Sequence, residues 1–190
     1  MSKRIFIIHG WDGYPEEGWF PWLKRELESR GFEVQVPAMP EAARPIIEAW
    51  VSYLAKLVGE PDEQTYFVGH SIGCQAVLRY LASIDKKIGG AVFVAGWLVR
   101  LTGDFSNEEI EIAKPWIETP INLGKVRNSS GKIVAIFSDN DEYVSAENHR
   151  LFAEKLDTKV IVERNRGHFS GSDGITELPS VLESILEMAK

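Results

Sequence analysis

Apolar residues follow two alternating patterns along this chain. Short continuous apolar runs are separated by longer segments in which apolar residues recur every three or four positions. Continuous runs are typical of strands buried on both faces of a parallel sheet, and the longer period is typical of helices with one buried face. The apolar runs predict six strands, at residues 5–9, 32–36, 66–69, 90–95, 133–137 and 160–162.

The segments between these strands predict helices. Pro45 suits the first turn of a helix, so we expect the second helix to begin there, with Ile46 among its apolar positions. The predicted helices cover residues 19–27, 45–58, 76–84, 145–156 and 179–189. Strands that alternate with helices indicate an α/β fold, here a three-layer sandwich with a mostly parallel sheet of about six strands and helices on both faces.

Residues 96–131 interrupt this pattern because their apolar periodicity is weak. Long irregular segments inside a compact domain are usually lids or binding elements. The length of 190 residues suits one domain. We therefore expect a single domain over residues 1–190, with a small lid or insert at 96–131. An ordinary helical excursion that returns to the sheet fits this segment equally well.

Composition and charge narrow the range of functions. The net charge of −7 and the absence of a long Lys and Arg cluster argue against a nucleic-acid partner. The apolar stretch at residues 5–8 is too short for a signal peptide or a membrane span, so we expect a cytoplasmic protein without a membrane partner. Cys74 is the only cysteine, which rules out an internal disulfide, and we interpret it as a packing residue.

The strongest chemical signal is Gly-x-Ser-x-Gly at residues 69–73, between a predicted strand and a predicted helix. A serine nucleophile must stand clear of the backbone, and a strained turn lifts its hydroxyl out of the sheet edge. The backbone N–H of Ile72 would then lie at a helix N-terminus, where developing negative charge is stabilised. This context favours Ser71 as a nucleophile over the alternative of a glycine-rich structural turn.

Further polar residues follow other strands and belong to the same edge, because the carboxyl ends of parallel strands lie together. Serine needs a base and the base needs an orienting acid. His168 follows the last strand and is the candidate base. Asp139 and Asp141 are the candidate acids; they are two residues apart, so in an extended chain they face the same way and geometry excludes neither.

The other histidines have structural interpretations. His70 flanks the candidate nucleophile and is expected to point away from its hydroxyl, whereas His149 lies within a predicted helix among polar residues. His9 ends the first strand and is expected to brace the loop that follows. The scattering of the four histidines also argues against a metal site, and we expect no cofactor.

The order Ser…Asp…His, with the serine on a strand-to-helix turn, resembles the α/β-hydrolase superfamily over nearly the whole chain. His-Gly-Trp-Asp-Gly at 9–13, Gly-His-Ser-Ile-Gly-Cys at 69–74 and Gly-His-Phe at 167–169 are similar to the compact serine hydrolases of the retinoblastoma-binding-protein-type (YdeN-like) family. The resemblance implies a chain that begins at the superfamily's third strand, with no opening hairpin and a minimal cap.

The resemblance also assigns roles. The run Asp141-Glu142-Tyr143-Val144 resembles the superfamily's Asp-x-x-Val, which favours Asp141 as the acid and leaves Asp139 as a turn former and alternative acid. It further implies that the backbone N–H of Trp11 joins that of Ile72 in an oxyanion hole.

We therefore predict a serine hydrolase, specifically a carboxylesterase that acts on small acyl esters through Ser71, His168 and Asp141. Three aromatic side chains near the proposed site are candidates for an apolar substrate pocket, Trp97, Trp116 and Phe169, although such residues more often pack in the core. The alternatives are a hydrolase of amides, thioesters or carbon–carbon bonds, and a binding or regulatory protein that retains the hydrolase scaffold.

Overall fold

Six strands form one sheet in the computed structural model, which describes residues 2–190. All neighbouring strands are parallel, and their order across the sheet is β2-β1-β3-β4-β5-β6. The strands are β1 (Arg4–Ile8), β2 (Glu33–Gln35), β3 (Thr65–His70), β4 (Gly90–Val94), β5 (Lys132–Ser138) and β6 (Lys159–Glu163).

The part of the chain that the structure describes, residues 2–190, also contains seven helices, which cover both faces of the sheet. They are α1 (Phe20–Glu28), α2 (Ile47–Val58), α3 (Ile72–Ser83), α4 (Asn107–Glu118), α5 (Leu123–Ser129), α6 (Ala146–Leu156) and α7 (Pro179–Met188). The buried residues of α1 and α7 pack on one face, and those of the other five helices pack on the opposite face. The predicted three-layer α/β sandwich is confirmed, with a sheet that is wholly rather than mostly parallel.

Burial follows each strand's place in the sheet. Strand β3 is buried along its whole length because β1 and β4 flank it and helices cover both its faces. Strand β6 lies at the edge, so it is only partly buried and Val162 is 49% exposed. An apolar run therefore predicts a strand correctly at both places, although only the central run is fully buried.

Helix α2 begins two residues later than its pattern predicts. Ile46 has an extended backbone, with φ −115° and ψ 130°, and forms the N-cap in place of Pro45. Its side chain is 53% exposed and takes no part in the buried face of the helix. The prediction that the helix begins at Pro45, with Ile46 as one of its apolar positions, is therefore wrong.

The segment 96–131 contains α4 and α5. Trp116 anchors α4 to the rest of the chain: its indole N–H donates a hydrogen bond to the carbonyl of Pro45 at 3.0 Å, and its own carbonyl accepts one from Arg79 at 2.8 Å. In residues 2–190, no helix combines the length and the apolar character needed to cross a membrane.

Candidate active site

Ser71 lies on a sharp turn between β3 and α3. Its φ of 53° is in the left-handed region, which is strained for a residue with a side chain. A Cβ at Gly73 would overlap the backbone carbonyls of Ile8 and His9, and one at Gly69 would lie 2.8 Å from the Cα of Cys74. Glycine is required at both positions because neighbouring backbone passes too close for any side chain.

Ser71, His168 and Asp141 form a continuous hydrogen-bonded line. The Oγ of Ser71 lies 2.8 Å from Nε2 of His168, and Nδ1 of the same ring lies 3.0 and 2.9 Å from the two carboxylate oxygens of Asp141. A carboxylate accepts hydrogen bonds, so Nδ1 carries the proton and Nε2 faces the serine hydroxyl as an acceptor. The serine hydroxyl is thus within hydrogen-bond distance of a ring nitrogen that can accept its proton, and the carboxylate of Asp141 sets the tautomer of that ring.

The two candidate acids do not face the same way. Asp141 points inward, with its side chain 2% exposed, and also accepts hydrogen bonds from the N–H groups of Tyr143 and Val144. Asp139 instead accepts a hydrogen bond from the N–H of Asn165 at 2.8 Å. The chain turns at residues 139–140 rather than staying extended, so only Asp141 reaches the imidazole.

A row of hydrogen bonds joins the loop that holds Asp141 to the loop that holds His168. The backbone N–H groups of Asn165, Arg166 and Gly167 donate to side-chain oxygens of Asp139, Ser138 and Asn140, respectively, at 2.8, 3.0 and 2.9 Å. These contacts fix the distance between acid and base. No local sequence pattern marks this role for Ser138 and Asn140, because it depends on a pairing between two loops.

His9 fixes the loop that follows β1. Its Nδ1–H donates to the carbonyl of Gly10 at 2.8 Å, and its Nε2 accepts the N–H of Met39 at 2.9 Å. The ring is fully buried, and this desolvation lowers the pKa of His9. A neutral imidazole thus braces the loop that carries Trp11.

The two backbone N–H groups predicted for an oxyanion hole belong to Ile72, which follows Ser71, and to Trp11, in the loop after β1. That of Ile72 is at the first position of α3, where helical N–H groups lack intrahelical acceptors. That of Trp11 lies in the loop after β1, and Trp11 and Ser71 border the same cavity. Within residues 2–190, neither N–H group donates a hydrogen bond to a protein acceptor.

A cavity of about 580 Å³ opens over Ser71 and His168. Part of its wall is apolar and includes residues of the segment 96–131. Carboxylate side chains also line it, and none of its lining residues within 2–190 is Lys or Arg. The apolar part of the lining consists of Trp11, Ala43, Leu101, Phe105, Ile112 and Tyr143, and the carboxylates are those of Asp12, Glu17, Glu108 and Glu109.

The predicted pocket aromatics Trp97, Trp116 and Phe169 do not line this cavity. Each is at most 1% exposed, and each packs in the hydrophobic core. Large aromatic rings gain most free energy from complete burial. The assignment of these three rings to the substrate pocket is therefore wrong.

Known proteins resemble this chain over most of its length. Residues 5–187 match the model of the family described as serine hydrolase. The chain belongs to the serine hydrolase family.

Relatives from this family match over almost their whole length. YdeN of Bacillus subtilis (strain 168) is 29% identical over 185 residues, which covers 96% of this chain and 94% of YdeN. Serine hydrolase RBBP9 of Rattus norvegicus is 26% identical over 190 residues, covering 99% of this chain and 97% of RBBP9. The family membership supports a hydrolase function.

Solved structures agree on the fold. The crystal structure of the ydeN gene product superposes with a TM-score of 0.90, at 28% identity and with 98% of each chain covered. Est1E of Butyrivibrio proteoclasticus, solved with bound ferulic acid, gives a TM-score of 0.75 at 18% identity, with 98% of this chain and 89% of Est1E covered. At that identity the match to Est1E concerns the fold alone.

His70, beside the serine, is a buried member of the site. Its Nε2 lies 2.8 Å from the carbonyl oxygen of His168, and the residue is 4% exposed. His70 also borders the cavity over Ser71, and the expectation that its ring points away from the serine hydroxyl stays a prediction. Burial, followed by repulsion from His168, lowers the pKa of His70 from 6.5 to about 3, so its imidazole is neutral in the folded protein.

This pKa predicts a loss of stability in acid. Between pH 6.5 and about 3 the unfolded chain binds a proton at His70 that the folded chain does not, so the free energy of unfolding falls as the pH falls, by about 1.4 kcal/mol per pH unit from this residue. Urea unfolding of the parent protein and of His70→Gln, at several pH values from 8 to 4.5, measures this. The parent should lose stability faster than the variant only below about pH 6.5. Parallel curves would contradict a buried neutral His70.

Proposed function

We propose that the protein is a carboxylesterase that hydrolyses small, uncharged acyl esters through an acyl-enzyme intermediate. The observation that carries the proposal is the hydrogen-bonded line from Ser71 through His168 to Asp141 at the floor of the cavity. Acyl transfer through a serine requires a nucleophile, a base and an orienting acid in this geometry. Membership of the serine hydrolase family supports the same reaction class.

In the proposed reaction, Ser71 Oγ attacks the ester carbonyl while Nε2 of His168 takes the hydroxyl proton. Asp141 stabilises the imidazolium that forms. The carbonyl oxygen becomes an oxyanion and receives hydrogen bonds from the N–H groups of Trp11 and Ile72. The imidazolium then gives its proton to the leaving alcohol. Water attacks the acyl-serine with His168 as base, which releases the acid and restores Ser71.

The cavity supports an uncharged substrate. Its volume of about 580 Å³ lies within the range of small-molecule sites, and its apolar wall offers contact to an acyl chain. Asp12 and Glu17 lie in its lining, and among the residues that the structure describes no side-chain cation forms a salt bridge with either carboxylate. A substrate that carries a carboxylate would be repelled by them, whereas a neutral ester is not.

A panel of p-nitrophenyl acetate, butyrate, hexanoate and octanoate tests the proposal, together with an anilide and a thioester of the best acyl group. We expect ester turnover to exceed anilide turnover, and a fluorophosphonate probe to label Ser71. If Ser71 is labelled but the protein hydrolyses only the thioester or the anilide and none of the esters, the ester assignment is overturned. Failure of the probe to react with Ser71 would favour a binding protein on the hydrolase scaffold.

A further inference from the structure

All four polar groups of His168 are held by hydrogen bonds. In the side chain, Nδ1 meets Asp141 and Nε2 meets Ser71. In the backbone, the N–H donates to a carboxylate oxygen of Asp173 at 2.9 Å and the carbonyl oxygen lies 2.8 Å from Nε2 of His70. His70 is the only one of these partners that is also the direct neighbour of Ser71 in the chain.

The contact between His70 and the carbonyl of His168 has a fixed direction. A carbonyl oxygen only accepts hydrogen bonds, so Nε2 of His70 carries the proton and donates it. The ring cannot rotate freely because Trp19 and Phe20 pack edge-on against it, with ring centroids 6.1 and 6.0 Å away. The donor is therefore a rigid ring that is aimed at one backbone oxygen.

The next carbonyl of the same loop is held in a similar way. The indole N–H of Trp19 donates to the carbonyl of Phe169 at 3.0 Å. Phe169 has a φ of 57°, in the left-handed region, and Gly167 has a φ of 55°. The loop around His168 thus has a strained backbone, which persists only where surrounding contacts hold it.

A histidine at position 70 is costly as a packing residue. Its Nδ1 is buried and lacks a hydrogen-bond partner within residues 2–190. An unsatisfied buried nitrogen destabilises the folded state, and a phenylalanine of similar shape would avoid that cost. The nitrogen that does form a contact reaches only the loop of the base, which points to a role in the site rather than in the core.

We propose that His70 is a positioning residue that holds the His168 loop in register with the nucleophile turn. The contacts close a ring: from Ser71 Oγ to the imidazole of His168, through that residue's backbone to its carbonyl, across to His70 and back along the chain to Ser71. This contact between His70 and the carbonyl of His168, here called the tether, fixes the backbone of the base relative to the nucleophile, whereas Asp141 fixes the imidazole ring itself. This inference rests on the proposed function of Ser71 and His168.

The test compares two substitutions of His70, one that removes the hydrogen-bond donor and one that retains a donor. His70→Phe keeps a flat ring and removes the N–H, whereas His70→Gln retains an amide N–H close to the place of Nε2. For His70→Phe we expect kcat to fall by about 10- to 100-fold with KM within about twofold, because a displacement of the base of about 1 Å costs this much in rate. Labelling of Ser71 by the fluorophosphonate should slow by a similar factor. His70→Gln should recover most of the loss.

A second arm separates positioning from a general structural defect. In a His168→Ala background the base is absent, so His70→Phe should cause no further loss of the residual activity. An equal loss in both backgrounds, or a His70→Gln variant as slow as His70→Phe, would overturn the tether. Should thermal melting show that His70→Phe does not fold, His70→Asn serves in its place, because its shorter side chain does not reach the carbonyl.

A readout that is independent of turnover keeps this inference apart from the proposed function. The proton on Nδ1 of His168, bonded to Asp141, gives a downfield NMR signal whose exchange with water reports how firmly the imidazole is held. Faster exchange in His70→Phe, but not in His70→Gln, supports the tether even if the parent protein hydrolyses none of the esters. Unchanged exchange in both variants contradicts it. Failure of the proposed function appears instead in the parent, as absence of turnover and of labelling at Ser71.

Discussion

Ser71→Ala should lower the turnover of p-nitrophenyl butyrate by at least about 10⁴-fold and abolish labelling by a fluorophosphonate probe. Alanine removes the hydroxyl that lies 2.8 Å from Nε2 of His168, so no acyl-enzyme can form. Loss of a nucleophile from an intact serine, histidine and aspartate set has effects of this order or larger. Steady-state kinetics and intact-protein mass spectrometry after labelling measure both results.

The matched control for this experiment is Ser106→Ala. Ser106 lines the same cavity, but its hydroxyl bonds to the carboxylate of Glu109 at the start of α4 and not to an imidazole. We expect its turnover to stay within about fivefold of the parent, with a loss of about 1 kcal/mol of stability from the missing helix cap. Turnover in Ser71→Ala that equals the parent's would remove Ser71 from the mechanism.

The sheet edge was predictable because parallel strands impose it. Ser71, the aspartates and His168 each follow an apolar run, and the carboxyl ends of parallel strands meet at one edge whatever the loops do. The structure brings Ser71, Asp141 and His168 within hydrogen-bond distance at that edge. The apolar runs and the order of the polar residues after them were sufficient to predict this shared edge, because both can be read directly from the sequence.

The substrate cavity was not predictable from residue type. Trp97 and Trp116 lie in the segment that borders the site, but their rings turn into the core, and Leu101 and Phe105 form the cavity wall instead. An aromatic side chain can pack in the core or line a pocket, and its residue type does not distinguish the two. The segment 96–131 has too little apolar periodicity to show which of its side chains face the core. For Trp116 the direction is fixed by contacts with distant residues, since its indole N–H donates to the carbonyl of Pro45 and its own carbonyl accepts from Arg79.

Contacts between distant loops were also beyond the sequence. The amides of Asn165 and Gly167 bond side chains of the acid loop, and His70 reaches a carbonyl that is 98 residues away along the chain. No local pattern marks such pairs, because the partners lie far apart in the sequence. The hydrogen-bonded frame around the base therefore becomes visible only in three dimensions.

Asp141→Asn should lower kcat by about 10³- to 10⁴-fold, whereas Asp139→Asn should leave it within about threefold. At position 141 an amide can present its NH₂ group to Nδ1 of His168, which then becomes the acceptor, so the proton moves to Nε2. An imidazole that is protonated at Nε2 cannot take the proton of Ser71. A loss of this size is expected when the tautomer is wrong and the geometry is intact.

At position 139 the same substitution preserves the one contact that matters. The Oδ1 of Asp139 accepts the N–H of Asn165, and the amide oxygen of asparagine accepts that hydrogen bond equally well. Each variant is therefore the matched control of the other, since both exchange a carboxylate for an amide in the same loop. Steady-state kinetics with p-nitrophenyl butyrate separates them. A larger loss at position 139 would show that the acid is Asp139, which requires the loop to rearrange in solution so that this carboxylate, and not that of Asp141, meets the imidazole.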